Sequence, residues 1–359
     1  MKVLFDCRYT RLERHDGISR YTAGIVSALG KQHPVTMLIS DHRQLEMLPD
    51  LPWELIPSPT AVTEPWVARK VNALKPDVVF TPMQTMGGWG RKYRLVLTVH
   101  DLIYYSHPTP PRDLPAFVRG LWRLYHLAWW PQRLLLNRSD AVVTVSETTK
   151  RLIADHRLTK KPVYVVPNAA DMPELAPGRA ERTAPESRSL VYMGSFMPYK
   201  NVDTLVRAVA LLPEYTLHLM SRVSDAEKAR LSALAPGARL AFHDGVSDEE
   251  YAETLASATA LVTASREEGF GIPLVEAMTL GTPVIVSDIP IFREIGGKAA
   301  LFFEADSPEE LVARVRHLEE KGVWAARSAA GRAEAQRYTW EASGRHLLTV
   351  LEATALRSR

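Results

Sequence analysis

Short β-branched apolar runs alternate with longer amphipathic segments along the whole chain, and this alternation limits its possible folds most strongly. Six runs fall in the first half, at 2–7, 34–40, 77–81, 95–99, 141–146 and 163–166. Six more fall in the second half, at 190–194, 216–220, 240–243, 260–264, 283–287 and 300–303. Helical patterns lie between them, for example at 17–30, 202–212, 248–258 and 308–320. Strands that alternate with helices form parallel sheets covered on both faces, so the chain predicts an α/β fold of two doubly wound, Rossmann-like domains.

The domain boundary is expected near residue 170. A chain of 359 residues is long enough for two cores of ordinary size. Residues 172–188 have no apolar period and contain three prolines, as a linker does. We therefore place the domains at 1–170 and 171–340, and expect the helix in 341–359 to pack back toward the first domain. Ligands of such sheets bind at the carboxyl ends of the strands, so two facing domains would enclose a cleft.

Composition and charge narrow the class of protein and its partners. With 24% charged and 46% hydrophobic residues, the chain has the composition of a globular protein. Residues 1–170 carry a net charge of +9 and the remainder −6, so the halves are expected to meet different partners. The basic half has no dense Lys/Arg stripe with stacking aromatics, and we expect an anionic membrane face or a phosphorylated acceptor rather than nucleic acid.

The N-terminus and the single cysteine bear on the compartment. Asp6 and Arg8 interrupt the first apolar run too early for a signal peptide, and Cys7 excludes internal disulfides. Cys7 lies in that apolar run and is interpreted as a core residue. These features predict a cytoplasmic protein, with peripheral contact at the inner membrane face as a further expectation.

The segment 265–288 carries the most specific chemistry. A glycine-bearing loop follows the run 260–264, and a helix is expected to start near Pro273, which suits a first helical position. Free backbone N–H groups and the positive end of a helix dipole bind phosphate, and Gly269 and Gly271 let the backbone approach a ligand closely. A dinucleotide fingerprint is the rival interpretation, but it requires a third glycine where Leu274 stands.

Two carboxylates bracket this loop, Glu268 and Glu276, and a diphosphate would repel both. They are better placed to accept hydrogen bonds from sugar hydroxyls. The arrangement resembles the E-x7-E signature of family-4 retaining glycosyltransferases, which have the two-domain GT-B architecture. The resemblance implies that Glu268 holds the transferred sugar and Glu276 the ribose, and that the amides of Phe270, Gly271 and Ile272 meet sugar and phosphate.

The segment 189–205 resembles the phosphate motif of the same family. A strand ends near Gly194, and Lys200 is expected to open the next helix, where its charge opposes the helix dipole unless an anion is bound. The resemblance makes Lys200 the clamp of the diphosphate and the stabiliser of the leaving group. Many relatives have an arginine where Ser195 or Tyr199 stands, so one expected cation is missing here; Arg20, Arg222 and Arg266 are candidates to replace it.

Other family segments add candidates for the donor site. The glycine-bearing turn after the first strand, with Gly17 and Arg20, resembles the family's loop over the donor. His100 directly follows the run 95–99, where the family has a histidine beside the reacting centre. A structural, hydrogen-bonded histidine is the alternative. Val246 follows a glycine at the strand end where the family reads the base with backbone groups. Ser146 matches a family segment as well, and a helix N-cap is an equal alternative.

The sequence leaves the role of the segment 117–138 open, and it also bears on metals and cofactors. The segment 117–138 has three tryptophans and four arginines, which fits either a membrane-interface helix or a packed helix broken at Pro131. No Asp-x-Asp triplet or zinc-ligand spacing occurs, so neither a metal nor another cofactor is expected.

The resemblance implies a retaining, metal-independent hexosyltransferase that uses a nucleotide sugar and a glycan or lipid-linked acceptor in cell-surface polysaccharide or glycolipid synthesis. The segments around His100 and Lys200 look most like those of mannosyltransferases, which favours GDP-mannose over UDP- or dTDP-sugars. The alternatives are an inactive sugar-nucleotide- or glycan-binding scaffold of the same fold and a GT-B nucleotide-sugar epimerase.

Overall fold

The computed structural model describes residues 1–13, 15–108, 119–120, 123–124, 126–173 and 182–356. The chain divides into two units, the first made of Met1–Ala169 with Thr339–Arg359 and the second of Ala170–Tyr338. Each unit contains one parallel sheet. The prediction of two Rossmann-like parallel-sheet domains is therefore confirmed.

The sheet of the first unit has seven parallel strands in the order β3-β2-β1-β4-β5-β6-β7. Its strands are β1 (Val3–Asp6), β2 (Val35–Ile39), β3 (Trp53–Leu55), β4 (Val78–Phe80), β5 (Arg94–Val99), β6 (Ala141–Thr144) and β7 (Val163–Val165). Six of them fall in the predicted runs. The edge strand β3 was not predicted, because its three residues are all exposed and too few to establish a period.

The sheet of the second unit has six parallel strands in the order β10-β9-β8-β11-β12-β13. Its strands are β8 (Ser189–Tyr192), β9 (Thr216–Leu219), β10 (Leu240–Phe242), β11 (Ala260–Thr263), β12 (Val284–Ser287) and β13 (Leu301–Phe303). All six lie in the predicted runs. In β8, β11 and β12 every residue is buried, as expected of strands with helices on both faces of their sheet.

Helices cover both sheets. In the described parts of the chain they are α1 (Gly17–Gly30), α2 (Ala68–Ala73), α3 (Ile103–Ser106), α4 (Trp130–Asn137), α5 (Glu147–Asp155), α6 (Val202–Ala210), α7 (Asp225–Leu234), α8 (Asp248–Ser257), α9 (Ile272–Thr279), α10 (Pro290–Gly296), α11 (Pro308–Glu319), α12 (Val323–Ala335) and α13 (Trp340–Ala355). Short 3-10 helices occupy His42–Met47, Glu64–Trp66 and Pro198–Lys200. No described helix is both long and apolar enough to cross a bilayer.

The last helix, α13, belongs to the first unit and packs on α1. Thr339 caps it by accepting a hydrogen bond from the Ala342 N–H at 3.3 Å. The contact with α1 requires a glycine, because a Cβ at Gly24 would lie 2.3 Å from the Trp340 ring. One sequence-distant helix therefore completes the fold of the N-terminal unit.

Part of the segment 117–138 lies outside the described residues, including Trp122. In the described part, residues 127–129 are not helical and α4 begins at Trp130 with Pro131 in its first turn, so the helical segment is interrupted directly before Pro131. Trp129 is packed, with its ring stacked on Tyr105 at 3.8 Å and on His156 at 4.1 Å. Trp130 is 65% exposed. The packed Trp129 fits the interpretation as a packed helix, and the exposed Trp130 fits the interpretation as a membrane-interface helix.

Cys7 lies in the core of the first unit, fully buried directly after β1. Burial raises the pKa of its thiol, with a smaller contribution from the neighbouring Asp6 carboxylate. A buried protonated thiol is unreactive. The interpretation of Cys7 as a core residue is confirmed.

Candidate active site

The glycine loop after β11 leads directly into the N-terminus of α9. Gly271 is the N-cap of α9 and has φ of 96°, a left-handed conformation that favours glycine. A Cβ at this position would lie 3.0 Å from the Phe292 ring, so the space also requires glycine. Because the first N–H groups of a helix have no acceptor within it, α9 presents the amides after Gly271 to a ligand.

The side chains of Lys200 and Glu268 form a direct ion pair at this helix N-terminus. Each side chain is 15% exposed, so the pair is largely shielded from bulk water but can be reached from it. Ser265 Oγ donates a second hydrogen bond to Glu268 Oε1 at 3.0 Å. The structure thus brings together the two residues that the sequence analysis made central, although 68 positions separate them.

Lys200 does not open the following helix, and that prediction is wrong by two residues. Lys200 ends the short helix Pro198–Lys200, and α6 begins only at Val202. Asn201 separates the two in a left-handed conformation, with φ of 51°. Its side-chain amide donates to the Ala305 carbonyl at 2.7 Å, which fixes the backbone directly after Lys200.

Arg266 supports the turn that carries Lys200. Its backbone N–H donates to the Tyr199 carbonyl at 2.8 Å, and its guanidinium donates to the Pro198 carbonyl at 3.1 Å and pairs with Asp306. Of the three arginines considered as the missing cation, Arg266 is thus engaged in holding the turn. The sequence did not single out this role, since the partners are distant in the chain and two of them are backbone carbonyls.

Glu276 lies inside α9 and is only 4% exposed. An ionised carboxylate is an acceptor of hydrogen bonds, and hydroxyl groups are donors that suit it. Ser195, in contrast, is exposed in the loop after β8. That loop is held by Tyr192, whose hydroxyl donates to the Ser195 carbonyl at 2.6 Å.

The loop after β10 contains Val246 and two left-handed residues, Asp244 with φ of 59° and Gly245 with φ of 93°. Gly245 N–H donates to the Met220 carbonyl at 3.1 Å. Asp244 holds the neighbouring segment, accepting from Val223 N–H at 3.4 Å and pairing with Lys228 at 3.4 Å. Asp244 therefore has a structural role, and the Gly245 N–H is engaged within the fold.

The second-unit candidates thus follow the carboxyl ends of parallel strands. Ser195 and Lys200 follow β8, Val246 follows β10, and the segment from Glu268 to Ile272 follows β11. Since the carboxyl ends of parallel strands share one edge of a sheet, the sequence prediction places a ligand where such folds bind one.

In the first unit, the structure brings His100 at the end of β5 beside the start of α1. The His100 ring meets the Tyr21 ring edge-on, with centroids 4.9 Å apart. His100 Nε2 lies 2.8 Å from the Pro82 carbonyl, and because a carbonyl only accepts, Nε2 carries the proton. Burial lowers the pKa of His100, opposed by the Pro82 hydrogen bond and by Asp16. The ring is therefore neutral near pH 7, with Nδ1 as its acceptor.

The remaining first-unit candidates lie on α1 or cap a helix. Gly17 is the first residue of α1, and Asp16 caps the helix by accepting from Ser19 N–H at 2.8 Å. Arg20 is partly exposed one turn further on. Ser146 is the N-cap of α5, as one of its two interpretations required, and accepts from Thr149 N–H at 3.0 Å. Within the described residues, no group of three or more His, Cys, Asp or Glu could hold a metal ion.

Known proteins resemble this chain in both sequence and fold. The O-antigen chain mannosyltransferase RfbU of Salmonella typhimurium is 27% identical over 237 residues, which are 62% of this chain and 60% of the relative. The O-antigen chain mannosyltransferase B of Escherichia coli is 26% identical over 70% of this chain and 68% of its own. The solved structure of Anabaena HepE with UDP-glucose superposes with a TM-score of 0.74 at 17% identity, over 98% of this chain and 100% of that one.

Two family models match consecutive parts of the sequence. Residues 15–173 match Glycosyltransferase Family 4, and residues 179–337 match Glycosyl transferases group 1. Together the two matches cover both units of the fold, and the structural neighbours are GT-B proteins. This chain therefore belongs to the family-4 glycosyltransferases of GT-B architecture.

Proposed function

We propose that this protein is a retaining, metal-independent glycosyltransferase that moves a hexose from a nucleotide sugar to a glycan or lipid-linked acceptor in cell-surface polysaccharide synthesis. The observation that carries the proposal is the ion pair of Lys200 and Glu268 beside the glycine-capped N-terminus of α9. A cation and free helix amides suit a diphosphate, and a carboxylate beside them suits sugar hydroxyls.

The proposed donor is GDP-mannose. Its support is the similarity to two O-antigen mannosyltransferases, aligned over 60% and 68% of their own lengths. HepE, a neighbour in fold, was solved with UDP-glucose, which makes UDP-sugars the next donors to test. The acceptor is assigned to the first unit because residues 1–170 carry the net positive charge, which suits a phosphorylated acceptor. We further propose a cytoplasmic location, with the exposed Trp130 on α4 contributing to peripheral contact with the membrane.

In the proposed mechanism, the bond between the sugar anomeric carbon and the diphosphate oxygen breaks, and the acceptor oxygen bonds to the same face of that carbon. Lys200 and the α9 amides stabilise the charge that develops on the departing diphosphate. A phosphate oxygen of the leaving group takes the acceptor proton. Glu268 accepts hydrogen bonds from the sugar hydroxyls and Glu276 from the ribose.

Donor identity is tested by thermal shift against a panel of GDP-, UDP- and dTDP-sugars. A ligand at 100 times its dissociation constant stabilises the folded protein by about 2.7 kcal/mol, which such an assay resolves. Product analysis by NMR then separates transfer with retention from 2-epimerisation, and activity in excess EDTA tests metal independence. A protein that no sugar nucleotide stabilises would contradict the proposal.

The residues are tested with Lys200→Ala and Glu268→Ala, each assayed for sugar transfer. Loss of one preorganised electrostatic group lowers the rate by about 10²- to 10³-fold. Lys321→Ala is the matched control, since Lys321 is exposed in the same unit, and it should transfer at the wild-type rate. Wild-type rates in both site variants would refute the site, and donor binding without any turnover would favour the inactive scaffold.

A further inference from the structure

A buried ion-pair network in the first unit holds two distant segments together. Arg8 Nε pairs with Asp6 at 2.8 Å and its Nη1 with Glu64 at 2.6 Å, and the side chains of Arg8 and Asp6 are fully buried. Glu64 Oε1 also accepts from Gly87 N–H at 3.0 Å. The segment with Glu64 is therefore tied to the loop between β4 and β5 through charges that are shielded from water.

The contact at Gly87 tolerates only glycine. A Cβ there would lie 1.7 Å from the Glu64 carbonyl oxygen, and a backbone atom cannot rotate away as a side chain can. The β4–β5 loop thus has one position relative to the helix Glu64–Trp66. A loop that is fixed by buried ion pairs and by the close contact of Gly87 with Glu64 is suited to positioning side chains for binding.

The contact between the β4–β5 loop and the helix Glu64–Trp66 brings together the side chains of Trp66 and Trp89. Their rings are stacked, with centroids 6.1 Å apart and planes 22° from parallel. Both are nevertheless exposed, Trp66 by 44% and Trp89 by 71%. Large exposed aromatic surfaces on an ordered framework indicate a binding surface rather than part of a core.

Trp89 also forms part of the wall of a cavity of about 830 Å³, a size typical of ligand sites. The wall combines apolar side chains, such as Met86 and Leu97, with polar ones, such as Gln84 and Arg138. A hydrocarbon chain would match only the apolar part of this wall. A carbohydrate satisfies both, because a pyranose ring has flat C–H faces that stack on aromatic rings and hydroxyls at its edges.

We propose that Trp66, Trp89 and the adjoining cavity form a carbohydrate-binding platform that holds sugar units of the acceptor glycan. This assignment rests on the proposed glycosyltransferase function and specifies its acceptor as an oligosaccharide. The platform lies entirely in the first unit, which the charge distribution assigned to the acceptor.

The experiment measures binding of soluble oligosaccharides to the full chain by NMR titration. The probes are α-linked manno-oligosaccharides of two to five units, with linear gluco- and galacto-oligosaccharides beside them. Trp89→Ala and Trp66→Ala should each weaken binding about five- to tenfold, the effect of losing one aromatic stacking contact. Gly87→Ala should weaken it as well, although it retains both tryptophans. Trp53→Ala, at an exposed tryptophan of the same unit, should have no effect.

Donor hydrolysis without acceptor separates this proposal from the proposed function. The Trp66 and Trp89 variants should hydrolyse donor at the wild-type rate while their KM for the oligosaccharide acceptor rises. Absence of binding by every probe, or equal binding by wild type and both variants, would overturn the platform. Farnesyl phosphate binding that depends on Trp89, without oligosaccharide binding, would overturn it in favour of a lipid chain. Oligosaccharide binding in a protein that never hydrolyses a donor would support the platform and refute the enzyme.

Discussion

Glu268→Gln is expected to have opposite effects on product binding and on sugar transfer. In the structure, the ammonium group of Lys200 is paired with the Glu268 carboxylate. A diphosphate must take Lys200 from that carboxylate and also lies near its negative charge. The neutral amide removes both obstacles to the diphosphate, but it can no longer accept strong hydrogen bonds from the sugar hydroxyls.

The size of the effect on binding follows from the exposure of the pair. Exposed ion pairs contribute about 0–1 kcal/mol, and breaking a fully buried pair costs about 3–5 kcal/mol. At 15% exposure of each side chain the pair lies between these limits, and part of its energy offsets its own desolvation. We expect a net gain of about 1 kcal/mol for the nucleoside diphosphate, which corresponds to about fivefold in Kd. The transfer rate should fall by about 10²- to 10³-fold.

Isothermal titration with GDP and UDP measures the first effect, and transfer kinetics measure the second. Glu249→Gln, an exposed glutamate at the start of α8, is the control for a change of net charge in the same unit. If Glu268→Gln binds the diphosphate more weakly than wild type, Lys200 and Glu268 do not compete as described. The reasoning would then be refuted even if activity were lost.

Three other changes test the framework of the two units. Gly271→Ala should cost about 1–2 kcal/mol of unfolding free energy, because its left-handed φ penalises a Cβ that also crowds Phe292, and urea titration measures this. Gly24→Ala should lower Tm clearly, because its methyl group would overlap the Trp340 ring, and a wild-type Tm would show that α1 and α13 do not pack as described. His100 has a folded-state pKa below its ordinary 6.5, so its neutral form contributes stability that is present above pH 6.5 and is lost as pH falls through the lowered pKa. His100→Gln should therefore lose less stability between pH 7.5 and 5.5 than wild type does, and an equal loss in both would contradict the burial of the ring.

The strands were predictable because central parallel strands are buried on both faces. Every strand except β3 falls in a segment rich in apolar residues, although β9 contains His218. The edge strand β3 is held by backbone pairing with β2, and its three exposed residues are too few to show a period. Apolar patterns in a sequence therefore indicate buried strands, and they do not detect a strand that pairs without being buried.

The position of the candidate site at the carboxyl edge of the sheet was predictable, but the hydrogen bonds between residues distant in the chain were not. Glu268 and Lys200 could be placed because each follows a recognisable strand. The left-handed conformation of Asn201 could not be foreseen, since it depends on an amide that bonds to Ala305, 104 positions away. The pairing of Arg8 with Glu64 spans 56 positions and likewise could not be predicted from the sequence. Contacts of this kind require the fold to be known first.

The same connections determine which part of the site can respond to a donor. The backbone on one side of Lys200 is fixed by the bond between Arg266 N–H and the Tyr199 carbonyl, and on the other by Asn201. The Lys200 side chain itself is held by a carboxylate that water can reach, with the Tyr199 ring 5.4 Å away. Exchange of Glu268 for a diphosphate therefore needs a side-chain rotation and no backbone movement. Because the turn is already in place, the binding free energy of the donor is not reduced by the cost of ordering it.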